Sequence, residues 1–377
     1  MARLAVSGGG IAGMAAALAT ARTGHEVTLF TGRTAPVLAG GLQLAPNGWA
    51  ALKTLGLTEI AASVSLRLND IMVRSLDSGS TLIRLPLHEP YASFDRAALA
   101  GCLADALAAQ PGVRIEPLNL DHIDQHIDQR GDPHGRVCLV TDDGASAEFD
   151  GLVAADGAAG PGRRHVAPAA DHAGTTGKIA MRAQVPLATL PASFALASSN
   201  LWLGRGVHVV HYPIGEMLNL VVTLPAARAT PGWQHRLLPA GTPLALLADA
   251  GITWTRTALP PARTAGCWRR GSVVLAGEAA HSMPPHLAQG AGQGLQDAAS
   301  LHHWLGTQDD ISAAFSGYAR TRAGEVARIV SKADISGRIM GLSGPAAHFR
   351  DIALNLGGAR LMQSWLAEVW AADPSLA

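Results

Sequence analysis

The chain has 377 residues, of which 48% are hydrophobic and 15% are charged. This composition supplies enough apolar surface for a sizeable core and too little charge for a disordered chain. The 29 basic and 29 acidic residues balance to a formal charge of zero. Because they form no basic block, the composition argues against nucleic-acid binding. A chain of this length suits two domains or one large α/β unit.

Cysteine usage and the N-terminus bear on the compartment. The three cysteines, Cys102, Cys138 and Cys267, stand far apart and form no CxxC pair. Such sparse usage favours a reducing compartment over a disulfide framework. Glycines interrupt the apolar N-terminus early, so it predicts neither a signal peptide nor a membrane span of about 20 apolar residues. We therefore expect a cytoplasmic protein.

The first predicted elements form a βαβ unit with the sequence RLAVS, GGGIAG, MAAALATARTG and EVTLF. Its glycine turn is a GxGxxG motif made of Gly8, Gly10 and Gly13, with Ile11 and Ala12 between the last two. Such glycines allow a tight turn and close backbone approach to a pyrophosphate at the helix N-terminus. The position between a strand and a helix favours dinucleotide binding over a plain turn.

The second strand ends without the carboxylate that usually binds the adenosine ribose. Thr31 stands there instead, and a hydroxyl cannot accept hydrogen bonds from two ribose hydroxyls as a carboxylate does. Arg33 lies close by. It either favours a 2′-phosphate, as in NADP, or is a solvated turn residue, and we favour the solvated turn.

Further along, helices and turns follow from local signals. We expect a short helix over residues 46–57 and a second over residues 95–109, with Asp95 as the N-cap of the second. Residues 113–155 are typical of strands and turns, and the DDG sequence at residues 142–144 predicts a hairpin.

The second half of the chain begins with strands and ends with helices. Alternating runs in residues 178–225 predict an antiparallel sheet inserted after the nucleotide-type unit. Pro-rich stretches at residues 238–243 and 259–263 bracket an expected helix. Helical patterns dominate residues 290–335 and 347–372.

Six further segments follow the GxGxxG motif in a distinctive order. They are GGLQLAPNGWAALKTLGL (40–57), FDRAALAGCL (94–103), DGLVAADGAAGPGRR (150–164), HVVHYPIGEMLNLVV (208–222), WRRGSVVLAGEAAHSMPPHLAQGAGQGLQDA (268–298) and YARTRAGEVARIVSKA (318–333). Together they resemble the single-component flavin-dependent aromatic hydroxylases, the group of para-hydroxybenzoate, salicylate and 6-hydroxynicotinate monooxygenases. The resemblance covers nearly the whole chain.

The resemblance implies an α/β fold of the glutathione-reductase-like kind, with an inserted mixed β-sheet domain and C-terminal helices. The implied parts are a discontinuous FAD-binding Rossmann domain (1–70, 90–175 and 265–330), a substrate-binding β-sheet domain (71–89 and 176–264) and a C-terminal helical segment (331–377). The implied activity is hydroxylation of a small aromatic substrate, a phenolic or hydroxypyridine carboxylic acid. It would use FAD, NADH or NADPH, and O2, through a flavin C4a-hydroperoxide. We expect a monomer or a homodimer.

Carried over position by position, the resemblance also implies the FAD contacts. Gly8, Gly10 and Gly13 would hold the pyrophosphate, and Arg96 would reach the pyrophosphate and the ribityl chain. The remaining positions match the family's DG motif, its ribityl-binding turn and the loop beside the isoalloxazine: Asp156, Gly157 and Arg163; Gly277 and Glu278; Pro285, Gln289, Gly290, Ala291 and Gly292. Two of these segments depart from the family, since Glu278 replaces an aspartate and Gly160 replaces a serine.

Candidate substrate contacts combine strand parity with the resemblance. His208 and Tyr212 stand four residues apart on a predicted strand, so both face the same side while His211 faces the other. The resemblance places His208 and Tyr212 over the substrate, with Gln43 and His286 approaching from other sides. A histidine suits removal of a proton from a ring hydroxyl. A purely structural role is the alternative for His208 and His286, and it is the interpretation we favour for His211.

Several alternatives stay open or are disfavoured. The Asp- and His-rich residues 121–134 are typical of a surface turn rather than a metal site, and no metal is expected. Cys102 and Cys267 are expected to be small buried residues.

Rival functions are another flavoenzyme of this fold, such as a dehydrogenase or reductase, and a weakly flavinated non-enzymatic homologue. The second rival rests on Thr31, Gly160 and Glu278.

Overall fold

The computed structural model describes residues 1–33, 40–125, 135–168, 176–249 and 251–372. Within these ranges the helices are α1 (Ile11–Arg22), α2 (Pro46–Thr54), α3 (Thr58–Ser63), α4 (Arg96–Ala108), α5 (Pro161–Val166), α6 (Trp233–Leu237), α7 (Leu246–Asp249), α8 (Gly290–Thr307), α9 (Ile311–Met340) and α10 (Gly344–Trp370). In this part of the chain, no helix is both long and apolar enough to span a membrane.

The strands carry their own numbers in chain order. They are β1 (Arg3–Ser7), β2 (Glu26–Phe30), β3 (Gly41–Leu44), β4 (Ser65–Arg67), β5 (Asp70–Ser75), β6 (Thr81–Pro86), β7 (Ala92–Asp95), β8 (Val113–Glu116), β9 (Leu120–Gln125), β10 (Val137–Thr141), β11 (Ser146–Phe149), β12 (Gly151–Ala154), β13 (Lys178–Pro186), β14 (Ser198–Leu203), β15 (His208–Ile214), β16 (Met217–Pro225), β17 (Thr255–Ala258), β18 (Arg263–Thr264), β19 (Arg269–Arg270), β20 (Val273–Leu275) and β21 (His281–Ser282).

One sheet is built around the N-terminal βαβ unit. Its strand order is β19-β20-β12-β1-β2-β8, and all neighbours pair in parallel except β19 and β20. Leu4, Ala5 and Val6 of the central strand β1 are completely buried. Burial on both faces explains why this strand is a continuous apolar run rather than an alternating one. The predicted α/β fold with a Rossmann-type nucleotide domain is confirmed.

A second sheet of seven strands has the order β17-β13-β16-β15-β14-β5-β6. Its neighbours pair antiparallel except β14 and β5, which pair in parallel, so this is the mixed sheet that the resemblance implies. Strands β5 and β6 come from residues 70–86, and the other five come from residues 178–258. One face packs on an apolar core that includes Phe194, Trp202 and Leu220. On the other face, Val210 of β15 borders a space that residues of α9 and α10 also line.

Local signals predicted several elements correctly. Helix α4 begins at Arg96, and the Asp95 Oδ1 atom accepts hydrogen bonds from the backbone N–H groups of Ala97 and Ala98 at 2.8 and 3.3 Å. Strands β10 and β11 form the predicted antiparallel hairpin around the DDG turn. Helices α8, α9 and α10 cover the predicted helical regions, although the predicted boundary after residue 330 falls inside α9.

One prediction was confirmed in a shorter form and one was wrong. The predicted helix between the Pro-rich stretches is present as a 3-10 turn, Pro243–Ala245, followed by α7, and the described chain then forms the edge strand β17, which pairs with β13. The sequence Thr255–Ala258 alternates β-branched threonine with other residues, and such a run fits an edge strand better than a helix. Cys102 is buried as expected, but Cys267 is exposed, because it lies in the turn before β19.

A buried carboxylate joins three segments of the nucleotide domain. Asp297 on α8 accepts hydrogen bonds from the Gly277 N–H at 2.8 Å, from His281 Nε2 at 2.7 Å and from Arg322 Nε of α9 at 2.8 Å. Asp297 and Arg322 are completely buried. Burial alone would raise the pKa of Asp297, but the charges and hydrogen bonds of His281 and Arg322 lower it to about 2. The carboxylate is therefore ionised and holds the turn at Gly277 against both helices.

The first prediction concerns this carboxylate. Asp297→Asn should lower the free energy of unfolding by about 3–5 kcal/mol, because buried Arg322 would lose the carboxylate that its Nε contacts and keep only Glu325 as a counter-ion. Urea unfolding followed by circular dichroism measures the loss. The matched control is Asp77→Asn, which breaks the exposed pair with Arg205 and should cost no more than about 1 kcal/mol. Equal stability of the two variants would contradict this interpretation.

Candidate active site

The glycine turn between β1 and α1 is held by contacts that only glycine permits. Gly8 has a φ of +112°, and a Cβ there would overlap the carbonyl oxygen of Ala155, which follows β12. A Cβ at Gly13 would overlap the carbonyl oxygen of Gly8. Gly10 differs, because a Cβ there would meet no described atom within 4 Å. Gly8 and Gly13 therefore shape the turn, and Gly10 leaves space in front of the α1 N-terminus.

A cleft of about 510 Å³ opens in front of this turn. Its lining comes from the β1–α1 turn, the end of β2, the start of α4, residues 118–120, the segment after β12, the turn at Gly277 and the N-terminus of α8. It gathers most of the predicted cofactor residues, namely Gly8, Gly10, Ile11, Ala12, Thr31, Arg96, Asp156, Gly277, Glu278, Gly290 and Ala291. Gly13, Arg33 and Gly292 do not line it.

Two buried polar atoms of this cleft lack a partner among the described residues. They are Nε of Arg96 and Oδ1 of Asp156. The other Asp156 oxygen accepts hydrogen bonds from the Gly162 N–H at 2.8 Å and from Ser7 Oγ at 3.3 Å. Burial raises the pKa of Asp156. Since buried polar groups are nearly always hydrogen-bonded, these two atoms fit polar groups of a bound ligand.

The N-terminus of α8 closes the far end of the cleft. Gln289 Oε1 accepts hydrogen bonds from Asn47 Nδ2 at 2.7 Å and from Gln293 Nε2 at 3.0 Å, which ties α2 to α8. The first N–H groups of an 18-residue helix lie just behind Gly290 and Ala291. Such a helix end stabilises negative charge. With the glycine turn at one end and a helix N-terminus at the other, the cleft fits FAD.

A second cavity of about 350 Å³ lies between the seven-stranded sheet, the turn Pro285–Leu287, α9 and α10. Gln43, Pro285 and His286 line it, and Gln43 Oε1 accepts a hydrogen bond from the Tyr91 hydroxyl at 2.7 Å. The segment from Gly277 to Ala288 thus contributes residues to both cavities.

The two remaining predicted substrate residues lie behind this lining. The His208 ring packs edge-on against the His286 ring, with 5.2 Å between the centroids. Tyr212 is buried beside Gln43 and Arg182. Burial, the nearby His286 and Lys178 lower the pKa of His208 well below its usual value. Burial and Lys178 lower that of His286 to about 4. Both rings are therefore neutral near pH 7.

Comparison with known proteins agrees with this geometry. A family model described as "FAD binding domain" matches residues 240–312, and one described as "Glucose inhibited division protein A" matches residues 3–185. The chain is 31% identical to 3-hydroxybenzoate 6-hydroxylase of Polaromonas naphthalenivorans, over 89% of this chain and 87% of that protein. It is also 31% identical to 3-amino-4-hydroxybenzoate 2-monooxygenase PtmB3 of Streptomyces platensis, with 93% and 91% covered.

The chain belongs to the FAD-dependent aromatic hydroxylases. Its structure superposes on that of Klebsiella pneumoniae HpxO complexed with FAD and uric acid, with a TM-score of 0.84 and 22% identity over 98% of this chain and 97% of that one. The fold, the FAD cofactor and the class of enzyme that the resemblance implies are thereby confirmed. Membership of this family favours a hydroxylase over the dehydrogenase, reductase and non-enzymatic rivals.

Two predicted cofactor residues of this hydroxylase have other partners. Arg33 forms a two-fold ion pair with Asp142, with Nε–Oδ2 at 2.8 Å and Nη2–Oδ1 at 3.0 Å. The hydrogen bond from Arg33 lowers the pKa of Asp142 to about 2. Arg33 is thus an exposed turn residue, as we favoured, although it is paired. Arg163 is buried and donates to the Ala279 carbonyl oxygen at 2.5 Å, so it supports the Gly277–Ala279 turn from behind.

Gly160 stands where the family has a serine, and the structure gives a reason. A Cβ at Gly160 would overlap the Asp156 carboxylate. The side chain of Asp156 therefore occupies the space that a serine would need. From this position Asp156 Oδ2 accepts a hydrogen bond from the Gly162 N–H of α5 at 2.8 Å.

The sequence reasoning missed two residues of this site. Arg182 on β13 is half-buried next to Arg96, Tyr212 and Glu278, and burial together with Arg96 lowers its pKa. Gly337 on α9 makes room for the His286 ring, because a Cβ there would overlap it. A polar residue within the apolar strand sequence KIAMRAQVP was the only signal for Arg182, and the sequence carried none for Gly337.

The expected surface turn at residues 121–134 lies partly outside the described residues. In its described part, His122 pairs with Asp121 at 3.0 Å, and both side chains are exposed. Within the described ranges, no group of His, Cys, Asp and Glu side chains could hold a metal ion.

His211 faces away from the substrate cavity, as strand parity predicts, and packs against Phe194 and Trp202.

The second prediction tests the space at Gly10. Its φ of −80° suits alanine, so Gly10→Ala should fold normally. We expect FAD affinity to fall about tenfold or more, equivalent to about 1.4 kcal/mol, because the new methyl group would occupy the path of the pyrophosphate. Titration of the apoprotein with FAD, followed by flavin fluorescence, measures this. The control Gly101→Ala adds a methyl group in open space on α4 and should leave FAD affinity unchanged; an equal affinity for Gly10→Ala would count against the assignment.

The third prediction concerns pH and His211. Burial lowers the pKa of His211 to about 3, and neither ring nitrogen has a partner among the described residues. The unfolded state therefore binds more protons than the folded state as pH falls below about 6.5, so stability falls with pH. His211→Leu should reduce the loss of unfolding free energy between pH 7 and pH 5 by about 2 kcal/mol. His88→Gln, at an exposed position, is the control, and urea unfolding at both pH values is the measurement. An unchanged loss in His211→Leu would show that His211 already takes up its proton in the folded state.

Proposed function

We propose that this enzyme hydroxylates a small electron-rich aromatic ring at the cavity beside Pro285 and His286. NADH or NADPH supplies two electrons, and one atom of O2 enters the ring while the other leaves as water. Bound FAD supplies the chemistry that accepts the electrons and activates O2. The observation that carries the proposal is the shared segment Gly277–Ala288, which lines the FAD cleft with its first residues and the substrate cavity with its last.

The chain's own residues have proposed roles in binding and proton transfer. Nδ1 of His286 is buried without a partner among the described residues, so it can accept the proton of a ring hydroxyl. The low pKa of His286 opposes this transfer in the empty site. A phenolate formed next to the ring offsets that effect, because an adjacent negative charge favours the protonated histidine. The loss of the hydroxyl proton makes the ring carbon more nucleophilic.

His208 and Tyr212 act as positioning residues in this proposal. His208 fixes the orientation of His286 through their edge-on contact. Tyr212 and Tyr91 flank Gln43, which lines the cavity. The apolar walls exclude water from the reaction, which limits wasteful release of peroxide. Arg96, Asp156 and Glu278 are the proposed polar contacts of FAD, with Gly290 and Ala291 beside its ring system.

We also propose that the enzyme acts in the cytoplasm as a monomer or a homodimer, without binding nucleic acid. All three cysteines lie in the described part of the chain, and none forms a disulfide. The balanced charge of 29 basic and 29 acidic residues supports the same view. Exposed apolar side chains of α10, including Phe349 and Leu356, form a surface that a homodimer would bury.

The decisive experiment purifies the chain with FAD and measures oxygen uptake with NADH or NADPH and a panel of aromatic substrates. The expected result is a flavin absorbance spectrum, oxygen uptake that an aromatic compound stimulates, and a hydroxylated product. Uptake that no aromatic compound stimulates would favour the reductase rival. A chain that binds no FAD would favour the non-enzymatic rival.

The fourth prediction addresses the two histidines. His286→Gln should lower substrate-stimulated hydroxylation about 100-fold or more, the usual effect of removing an acid–base group. His208→Gln should have a smaller effect, because its role is positioning. Both variants should keep their flavin content. His303→Gln, at a position of α8 that lines neither cavity, is the control and should retain full activity. Parallel losses of flavin and activity would assign the histidines a structural role instead.

A further inference from the structure

The substrate cavity has an unusual lining for an enzyme whose relatives are named for hydroxybenzoates. None of the described residues that line it carries a formal charge, and most are aliphatic or aromatic. Its polar members are Gln43, Tyr91, Ser199, His286 and Ser336. A carboxylate buried in such surroundings loses its hydration without gaining a counter-ion, and this disfavours its binding. The lining therefore selects against a charged ring substituent.

Several of the polar groups are already hydrogen-bonded to one another. The Tyr91 hydroxyl donates to Gln43 Oε1 at 2.7 Å, and Trp365 Nε1 donates to Ser336 Oγ at 3.2 Å. His286 Nδ1, in contrast, is buried with no partner in the described part of the chain. His286 and Ser199 are therefore the lining residues whose polar groups remain for a ligand.

Lys178 and Arg182 are cations on β13 that do not line the cavity. Lys178 Nζ lies 3.4 Å from the carbonyl oxygen of Gly337 on α9 and does not line the cavity. Arg182 lies beside Arg96 and Glu278, which line the cofactor cleft. His286 is neutral near pH 7 in the empty site, because burial lowers its pKa to about 4. In the proposed function the proton that it accepts comes from the ring hydroxyl, so its charge then pairs with the phenolate and not with a second anionic group. A ring carboxylate in the cavity would therefore have no partner from these side chains.

The cavity is also larger than one ring requires. Its volume is about 350 Å³, whereas an engineered apolar cavity of about 150 Å³ holds one benzene molecule. Ile339 of α9 and Leu361 of α10 line the cavity and are nevertheless 45% and 73% exposed. They form an apolar rim where the cavity meets solvent between the two helices. An apolar group attached to the ring would occupy the remaining space toward this rim.

We infer that the substrate is an uncharged aromatic compound, a phenol or arylamine whose polar group meets His286 and whose apolar substituent, an alkyl chain or a second ring, extends between α9 and α10. This inference rests on the proposed function, because it assumes that the cavity holds the ring to be hydroxylated. It departs from the ring acids that the resemblance implies.

Two matched pairs of probes separate charge from size. Methyl 3-hydroxybenzoate against 3-hydroxybenzoate tests charge, and 3-phenylphenol against phenol tests size. Binding to the FAD-loaded enzyme without NADH or NADPH is measured by calorimetry and by quenching of tryptophan fluorescence, since Trp365 and Trp370 line the cavity. The ester should bind at least about tenfold more tightly than the acid, and 3-phenylphenol at least about tenfold more tightly than phenol. An acid that binds as tightly as its ester, or a phenylphenol that binds no better than phenol, would overturn the inference.

A charge variant adds a second test. Leu201 on β14 lines the cavity and is partly exposed, so Leu201→Arg places a cation at its wall. We expect this variant to reverse the preference and bind 3-hydroxybenzoate more tightly than the ester. Leu246→Arg adds the same charge at a 50% exposed position of α7, which lines neither cavity, and should keep the wild-type preference. Should Leu201→Arg fail to fold, the wild-type comparison of ester and acid decides alone.

Oxygen uptake with the same probes separates this inference from the proposed function. Tight binding of the neutral probes without stimulated oxygen uptake would support the cavity's selectivity and contradict the hydroxylase function. Binding and hydroxylation of 3-hydroxybenzoate in preference to its ester would support the function and overturn the inference.

Discussion

The position of one buried carboxylate determines how the two cavities meet. Asp297 binds the backbone at Gly277, the ring of His281 and the guanidinium of Arg322. Gly277 and His281 belong to the segment that lines the cofactor cleft at its start and the substrate cavity at its end. Because a charge in a dry interior must be paired, these partners cannot separate without a large cost. The turn of Pro285 and His286 therefore projects from a rigid base.

Charge is distributed unevenly on the two sides of this base. Arg96, Asp156 and Glu278 line the cofactor cleft and Arg182 lies beside them, whereas the described lining of the substrate cavity carries no formal charge. A dinucleotide carries phosphates and needs such polar groups. An aromatic ring needs apolar surface and gains most from the exclusion of water. The two requirements are met in different parts of the fold, because the cofactor cleft lies beside the parallel sheet and the substrate cavity lies beside the mixed sheet.

The sequence predicted those features that local chemistry determines. Gly8, Gly10 and Gly13 mark a backbone turn, and Asp95 caps helix α4. Strand parity places His208 and Tyr212 on one face of β15 and His211 on the other. Contacts between distant segments carried no such signal. Gly337 lies 51 positions after His286, and only the packing of α9 on the Pro285–Leu287 turn shows that a side chain there would displace the histidine. Arg182 was missed for the same reason, because its neighbours come from α4, β15 and the Gly277–Ala279 turn.

The three departures from the family pattern differ in their physical consequence. Thr31 lines the cleft with a hydroxyl in place of a carboxylate, so one strong contact to a ribose is lost. Glu278 keeps the charge of the usual aspartate and places it next to Arg182, with one more methylene of reach. Gly160 is coupled to the position of Asp156, since the carboxylate fills the space of the missing serine side chain. Of the three departures, only Thr31 removes a charged partner from the cleft. The other two therefore do not weaken FAD binding through the loss of a charge.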